Sequence, residues 1–448
     1  MTATDVLPGI QSHKDRLNGS QQQVVKSQEL QGVSEKVPSA INEPPPPSQN
    51  ADTRPNGGFF AWIQVVCSFC LYFNTYGIIS SYGIFQTYYE SNLGYDPSKA
   101  SIIGSIQSFL IFFSTALSGP LYDAGLYRYV VSAGSFMVVF GIIMQSLCKK
   151  YWQFILAQSL CVGIGGGFIA FLGPTVLSTH FTTKYPLASG IGASGGGVAG
   201  IVLPIAFRQL QPSIGFGWAV RVLGFISLGT LIIPVVALRP RSKPASHRKA
   251  VDTTAFRDLP FIVLLIGNFI MLLGVFTPFF YVQSFALDSG IAGEELSFYI
   301  IAIMNLTSAL GRIIPNFFST RFGPFNMFLA MNLVTFVIAF GFIGVTNLPG
   351  LIVTAAIYGF STGSVFALQP VVVIRLCPDP KLIGTRVGMA FCFLSFALLP
   401  STPIAGALQT RGGFTAVWVW TGATTAVGFV IMSLSRGIKT NWKLLSKA

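Results

Sequence analysis

FIVLLIGNFIMLLGVFTPFFYVQSF, residues Phe261–Phe285, runs for 25 residues without an Asp, Glu, Lys or Arg. A hydrocarbon layer about 30 Å thick is crossed by roughly 20 apolar helical residues, whereas a barrel strand needs about half that number. Only helices and closed barrels satisfy every backbone hydrogen bond in lipid, so a run of this length selects the helix. Eleven further stretches beyond residue 58 read the same way, and none contains Asp or Glu. Before it come Phe59–Gly83, Ala100–Leu121, Tyr129–Leu147, Trp152–Leu177, Leu187–Phe207 and Trp218–Leu238. After it come Leu296–Phe318, Phe325–Val345, Leu351–Leu376, Val387–Leu408 and Phe414–Leu434. The expected fold class is an all-α membrane protein of twelve transmembrane helices, which excludes a soluble enzyme.

The segments between the spans set the organisation. The net charge of +13 would suggest nucleic acid for a soluble chain. The placement of the charge argues for lipid instead. With both termini cytosolic, 22 of the 28 Lys and Arg fall inside, leaving Lys99, Lys149, Lys150, Arg208, Arg221 and Arg411 outside. Residues 1–56 read as a disordered cytosolic tail without the pattern of a signal peptide. Its Pro44–Pro47 run is either a motif for a partner domain or part of a solvated tether. Residues 239–260 form a basic linker facing anionic lipid and divide the spans six and six. The expected domains are a six-helix half at 57–238, a second at 261–435, and a short cytosolic tail at 436–448.

Several motifs carry no chemistry of their own. Cys67 and Cys70 have C-x-x-C spacing, but inside a membrane helix they read as packing, and no disulfide or metal is assigned. Gly163–Gly167 lacks the Lys-Ser/Thr of a phosphate loop, so no nucleotide and no cofactor is expected. The 40 Phe read as lipid-facing and core material. Trp62, Trp152, Trp218, Trp418 and Trp442 lie near span ends and read as interfacial anchors.

Two loops at corresponding places in the halves match one another: GPLYDAGLYR, Gly119–Arg128, and GRIIPNFFSTRFGPFN, Gly311–Asn326. Gly permits a tight cytosolic turn there. Asp123, Arg128 and Arg321 can pair with neighbouring helix ends and latch the halves shut, which makes them gating candidates. These loops resemble the repeated cytosolic motif of the major facilitator superfamily. PNGGFFAW at Pro55–Trp62, HFTTKYPLASGIGAS at His180–Ser194 and IGFGWAVR at Ile214–Arg221 further resemble the fungal branch of its monocarboxylate porter family. Asn56 stands where that family usually has an acid, and Tyr185 where it has a second basic residue.

The resemblance implies transport carried by an Arg in span eight, an Asp one turn before it and a Lys in span one. Arg312 matches the Arg, while the Asp position is Ser308 and the Lys position falls at Ser80. A charge within a span costs at least about 2.5 kcal/mol on insertion scales and so marks function. Asn305, Ser308 and Arg312 are spaced three and four apart and share a helical face. A guanidinium on that face can grip a carboxylate with two bonds, or, if it lies near enough to the cytosolic end, snorkel outward and latch the gate. Asn74, Gln107, Asn268, Gln283 and Gln369 are polar residues within spans, each able to line the cavity or to bond a neighbouring helix. The small residues Gly190, Gly192, Ser194, Gly196 and Gly200 read as a close-packing stripe.

All 15 acidic residues map to the tail, the loops or the extreme span ends. If a proton accompanies the solute, the solute's own acid group carries it; otherwise transport is uncoupled. The functional expectation is a carrier of a small organic solute, a monocarboxylate or related metabolite, working by alternating access. Export of a secondary metabolite is the rival, and a sensor of the same fold that signals without flux is the alternative of another class. The partners expected are this solute and the lipid bilayer, with no nucleic acid; the oligomeric state is not legible, and the plasma membrane is the default location.

Overall fold

The computed structural model describes residues 56–241, 252–377 and 383–443. The tail to residue 55 with its Pro run, the linker at 242–251 and the last five residues lie outside the described residues, and so do the readings made of them. The described residues hold helices and no strand. Ten of the helices are long and apolar enough to cross a bilayer: α1 Phe59–Ser91, α2 Pro97–Tyr122, α3 Tyr127–Gln145, α4 Tyr151–His180, α5 Tyr185–Ala237, α6 Leu259–Asp288, α7 Glu295–Phe322, α8 Pro324–Gly344, α9 Leu348–Leu376 and α10 Gly384–Lys439.

Two of the ten are double. At 53 residues α5 would be about 80 Å long if straight, more than twice a bilayer core. It is interrupted at Gly215, with φ 76° and ψ 165°, and α10 is interrupted in the same way at Gly413, with φ 65° and ψ −170°. Only glycine adopts this backbone region freely, so each break is fixed by residue type and divides its helix into two limbs. Ten helices with two doubled make twelve spans. The breaks fall in the gaps expected from the apolar runs, after Phe207 and after Leu408.

Helix crossings use small residues, which let backbones approach when lipid supplies no hydrophobic drive. Gly190, Gly197 and Gly200 on the first limb of α5 lie against Arg312, Ala309 and Asn305 of α7, so the predicted stripe is a packing surface. Gly311, Gly359 and Gly363 bring α7 and α9 together in the same manner. The α2 helix meets the first limb of α10 through Ser105 with Thr402 and Phe112 with Phe391. Two of the quoted motifs also join: Asn56 Oδ1 accepts from the Thr182 and Thr183 amides, both at 2.9 Å, and from the Thr182 hydroxyl at 2.7 Å. It caps the turn before α5, a job for any short side-chain oxygen.

The tryptophan reading needs one correction. Trp62, Trp152, Trp218 and Trp442 are exposed, as interfacial anchors must be, but Trp418 is only 1% exposed. Its indole stacks on Phe342 at 4.8 Å and meets Phe285 edge-on at 5.3 Å. Those rings come from α8 and α6, far away in sequence. A residue at a span end is interfacial only where no neighbouring helix covers it.

Candidate functional site

Arg312 lies ten residues before the end of α7, about 15 Å along the axis, which is half a bilayer core. It is 3% exposed. Its Nη1 donates to the Ala193 carbonyl of α5 at 2.6 Å, and its Nε has no partner. No carboxylate lies within ion-pair distance of it among the described residues. The side chain points into protein rather than out along its stem to an interface.

Two tyrosines of α1 share this place. Tyr72 packs on Ala193 of α5 and Ala367 of α9 with Tyr76 beside it, and both phenols lie within electrostatic reach of the guanidinium. Their rings stack at 5.1 Å with 23° between planes, and Tyr76 meets Phe112 of α2 edge-on at 5.8 Å. Between them α1 loses its helical geometry at Thr75, with φ −119° and ψ −80°. Broken helices at mid-depth are tolerated where protein covers them or where they border a cavity. Gly196 completes the corner, since a Cβ there would press on both Arg312 Nη1 and the Tyr76 Cβ. These tyrosines escaped the sequence reading because aromatic residues are common in spans. Their i, i+4 spacing around a polar Asn74-Thr75 pair was the available signal.

The other candidates divide by position. Asn305, one helical face with Arg312, donates to the Ile301 carbonyl at 3.1 Å and leaves Oδ1 without a partner. Ser308 is buried on the same helix, its backbone against Gly363. Gln107 is buried with neither amide atom bonded, and Gln283 leaves Oε1 unpaired. Gln369 reaches Asn268 at 3.4 Å, joining α9 to α6. Ser80 is buried in the short helical turn that follows Tyr76. Asn74 donates from its amide to Thr230 on the second limb of α5 at 2.7 Å and leaves Oδ1 without a partner. Buried polar atoms without partners occur on most of the helices, and two of them, Arg312 Nε and Asn305 Oδ1, share one face of α7, where a ligand or water can pair them.

At the face where α1 begins and α2 ends, the Asp123 side chain lies outside the described residues. Arg128 is exposed and donates to its neighbour Tyr127 at 3.3 Å; Arg321 is exposed over the Phe322 ring at 5.9 Å. The ion pairs found on this face involve a different residue. Arg386, counted with the loop cations in the sequence, is 1% exposed at the start of α10. Nε donates to Asp252 at 2.7 Å, Nη1 to Asp258 at 2.6 Å and Nη2 to Thr254 at 3.3 Å, with the Phe261 ring 5.3 Å below. Burial pushes the Asp252 carboxyl up, but the bonds from Thr254 and Arg386 outweigh it and hold it below the usual carboxylate value. The cluster pins the end of the linker to α10.

The family model of the Major Facilitator Superfamily matches residues 65–397, from α1 into α10. The chain belongs to this superfamily. Among curated proteins, the MFS-type transporter dbaD of Emericella nidulans is 38% identical, covering 88% of this chain and 90% of its own length. The Aspyridones efflux protein apdF of the same organism is 35% identical over 86% of this chain and 80% of its own length. The MFS transporter asaE of Aspergillus flavus is 34% identical over 90% of this chain and 92% of its own. As a major facilitator the chain is a multi-pass membrane transporter of small solutes, not an enzyme. Arg312, Tyr72 and Tyr76 all lie inside the matched region.

Proposed function

We propose that this facilitator exports a small organic anion, a carboxylate or similarly acidic metabolite, by rocking two six-helix halves about the Arg312 corner. The observation that carries the anion is the guanidinium itself, buried at mid-depth with Nε unpaired and no carboxylate in reach among the described residues. A buried charge without a counter-ion is costly, and an anionic ligand gripped by two hydrogen bonds offsets that cost when it binds. The α5–α7 seam supports alternation, since Arg312 bonds one half from the other and a ligand competing for Nη1 would loosen that contact. Export is favoured over uptake by the efflux role named for one relative of similar length. Kinship with the monocarboxylate porters remains the second reading, favoured by the Arg in span eight. Ser308 and Ser80 at the other two positions leave a proton to the solute's own acid group, or leave transport uncoupled. The charge split supports cytosolic termini, and the plasma membrane is the proposed location.

The test is flux of radiolabelled organic acids and neutral metabolites in inside-out and right-side-out vesicles at two pH values, comparing the unaltered protein with Arg312→Ala. Uptake of an anion into inside-out vesicles that the variant abolishes is the expected result. Equal flux of a neutral solute in both proteins overturns the anion assignment, and faster anion entry into right-side-out vesicles overturns export.

A further inference from the structure

The guanidinium fixes the charge of the solute but not its shape; the groups around it bear on the shape. Resting on the anion reading above, we propose that Tyr72 and Tyr76 select planar, conjugated anions, such as aromatic carboxylates or phenolates, over aliphatic anions of equal charge and size. Three observations converge. The two rings stack on one another immediately beside the only cation at this depth among the described residues, with Tyr76 in turn edge-on to Phe112. The surface continues through Phe112 to Phe391 at 5.3 Å, so the aromatic chain runs from α1 through α2 to α10, across the junction of the proposed halves. The glycine at 196 leaves the guanidinium and Tyr76 side by side with no side chain between them.

Chemistry turns this arrangement into a preference. The acidic group of a planar ligand can take the free Nε of Arg312 while its ring lies against a tyrosine face or edge, the geometry that aromatic pairs favour. A saturated ring carrying the same acid group gains only the nonspecific part of that contact. The break at Thr75 bears on the same point, because it lets Tyr76 change its angle to Tyr72 without bending the whole of α1. Tyr76 is the less buried of the two, Tyr72 being 5% exposed, so Tyr76 is the ring proposed to meet the solute.

The probes are benzoate and cyclohexanecarboxylate, alike in charge and close in size but different in planarity. Their affinities for the purified full-length protein in detergent are measured by calorimetry, where passive leak across a membrane plays no part. The expected result is a two- to twelvefold preference for benzoate, roughly the range that aromatic pairing supplies. Tyr76→Leu brings the ratio to about one while Tyr76→Phe keeps it, and size-exclusion and melting profiles confirm that both variants are folded. Equal affinities in the unaltered protein overturn the aromatic selection and leave Arg312 as an anion site. An undiminished ratio in Tyr76→Leu and Tyr72→Leu alike moves the selection away from these residues. Binding of neither probe sinks the anion reading itself, and the inference with it.

Discussion

Replacing Arg312 by methionine should separate ligand binding from folding. The substitution deletes one charge-assisted hydrogen bond, from Nη1 to the Ala193 carbonyl, worth about 1.5–3 kcal/mol. It also removes a charge whose burial at mid-span costs at least about 2.5 kcal/mol, and the methionine refills much of the volume with an adaptable chain. The two effects nearly cancel, so the melting temperature of the ligand-free protein should move by only a few degrees. Function responds differently. Losing the charged partner of a buried ligand anion costs about 2–5 kcal/mol, which is at least thirtyfold in anion affinity. Arg312→Lys keeps the charge but not the planar fork, and should fall between the two. Melting curves of purified protein and anion flux in proteoliposomes measure the two quantities separately. A methionine variant that melts far below the unaltered protein would show that the guanidinium is a structural tie between α5 and α7. Anion flux within threefold of the unaltered rate would show that the anion binds elsewhere.

Three more outcomes are expected. Gly196→Ala places a methyl against Arg312 Nη1 and Tyr76 Cβ, and overpacking of this kind costs roughly 1–3 kcal/mol; flux should fall several-fold, and an unchanged rate would refute the tight corner. Gly413→Ala puts a Cβ at φ 65° and ψ −170°, and should lower thermal stability by about 1–3 kcal/mol, whereas Gly344→Ala, which meets only open space, should not. Asp252→Asn removes one of two carboxylates from Arg386 and should destabilise by about 1–3 kcal/mol near neutral pH. Because the folded carboxyl sits below its unfolded value of about 3.9, its contribution is complete above that pH and vanishes as the pH falls through the folded value. Melting curves should therefore show a constant gap between variant and unaltered protein from pH 8 to about 5 that closes in stronger acid, and a gap that widens in acid would contradict the ion-pair account.

The candidate site was legible in part. Arg312 was found because a lone charge in an apolar run is conspicuous, and helical spacing put Asn305 and Ser308 beside it. Tyr72 and Tyr76 were not, since nothing in an apolar segment tells which of its aromatic residues will meet a guanidinium some 240 positions away. Asn74 and Gln107, alike in sequence terms, differ in how far they are paired: Asn74 bonds Thr230 and leaves only Oδ1 unpaired, and Gln107 has both amide atoms buried and unpaired. Arg386 looked like one more loop cation until Asp252 and Asp258 folded back onto it.

What the sequence by itself determined is whatever the bilayer imposes on each helix separately: twelve apolar runs of spanning length, the gaps between them, and the class of the fold. Hydrocarbon thickness and the need to satisfy every backbone group act along a single segment, so they are readable there. Only the tertiary structure decided which faces meet: the Arg312 bond to Ala193, the tyrosine pair at that corner, the burial of Trp418 and the enclosure of Arg386. Those depend on packing and hydrogen bonds between residues on different segments, 134 positions apart for Arg386 and Asp252, where a small rotation of one helix exchanges a lipid-facing side chain for a buried one.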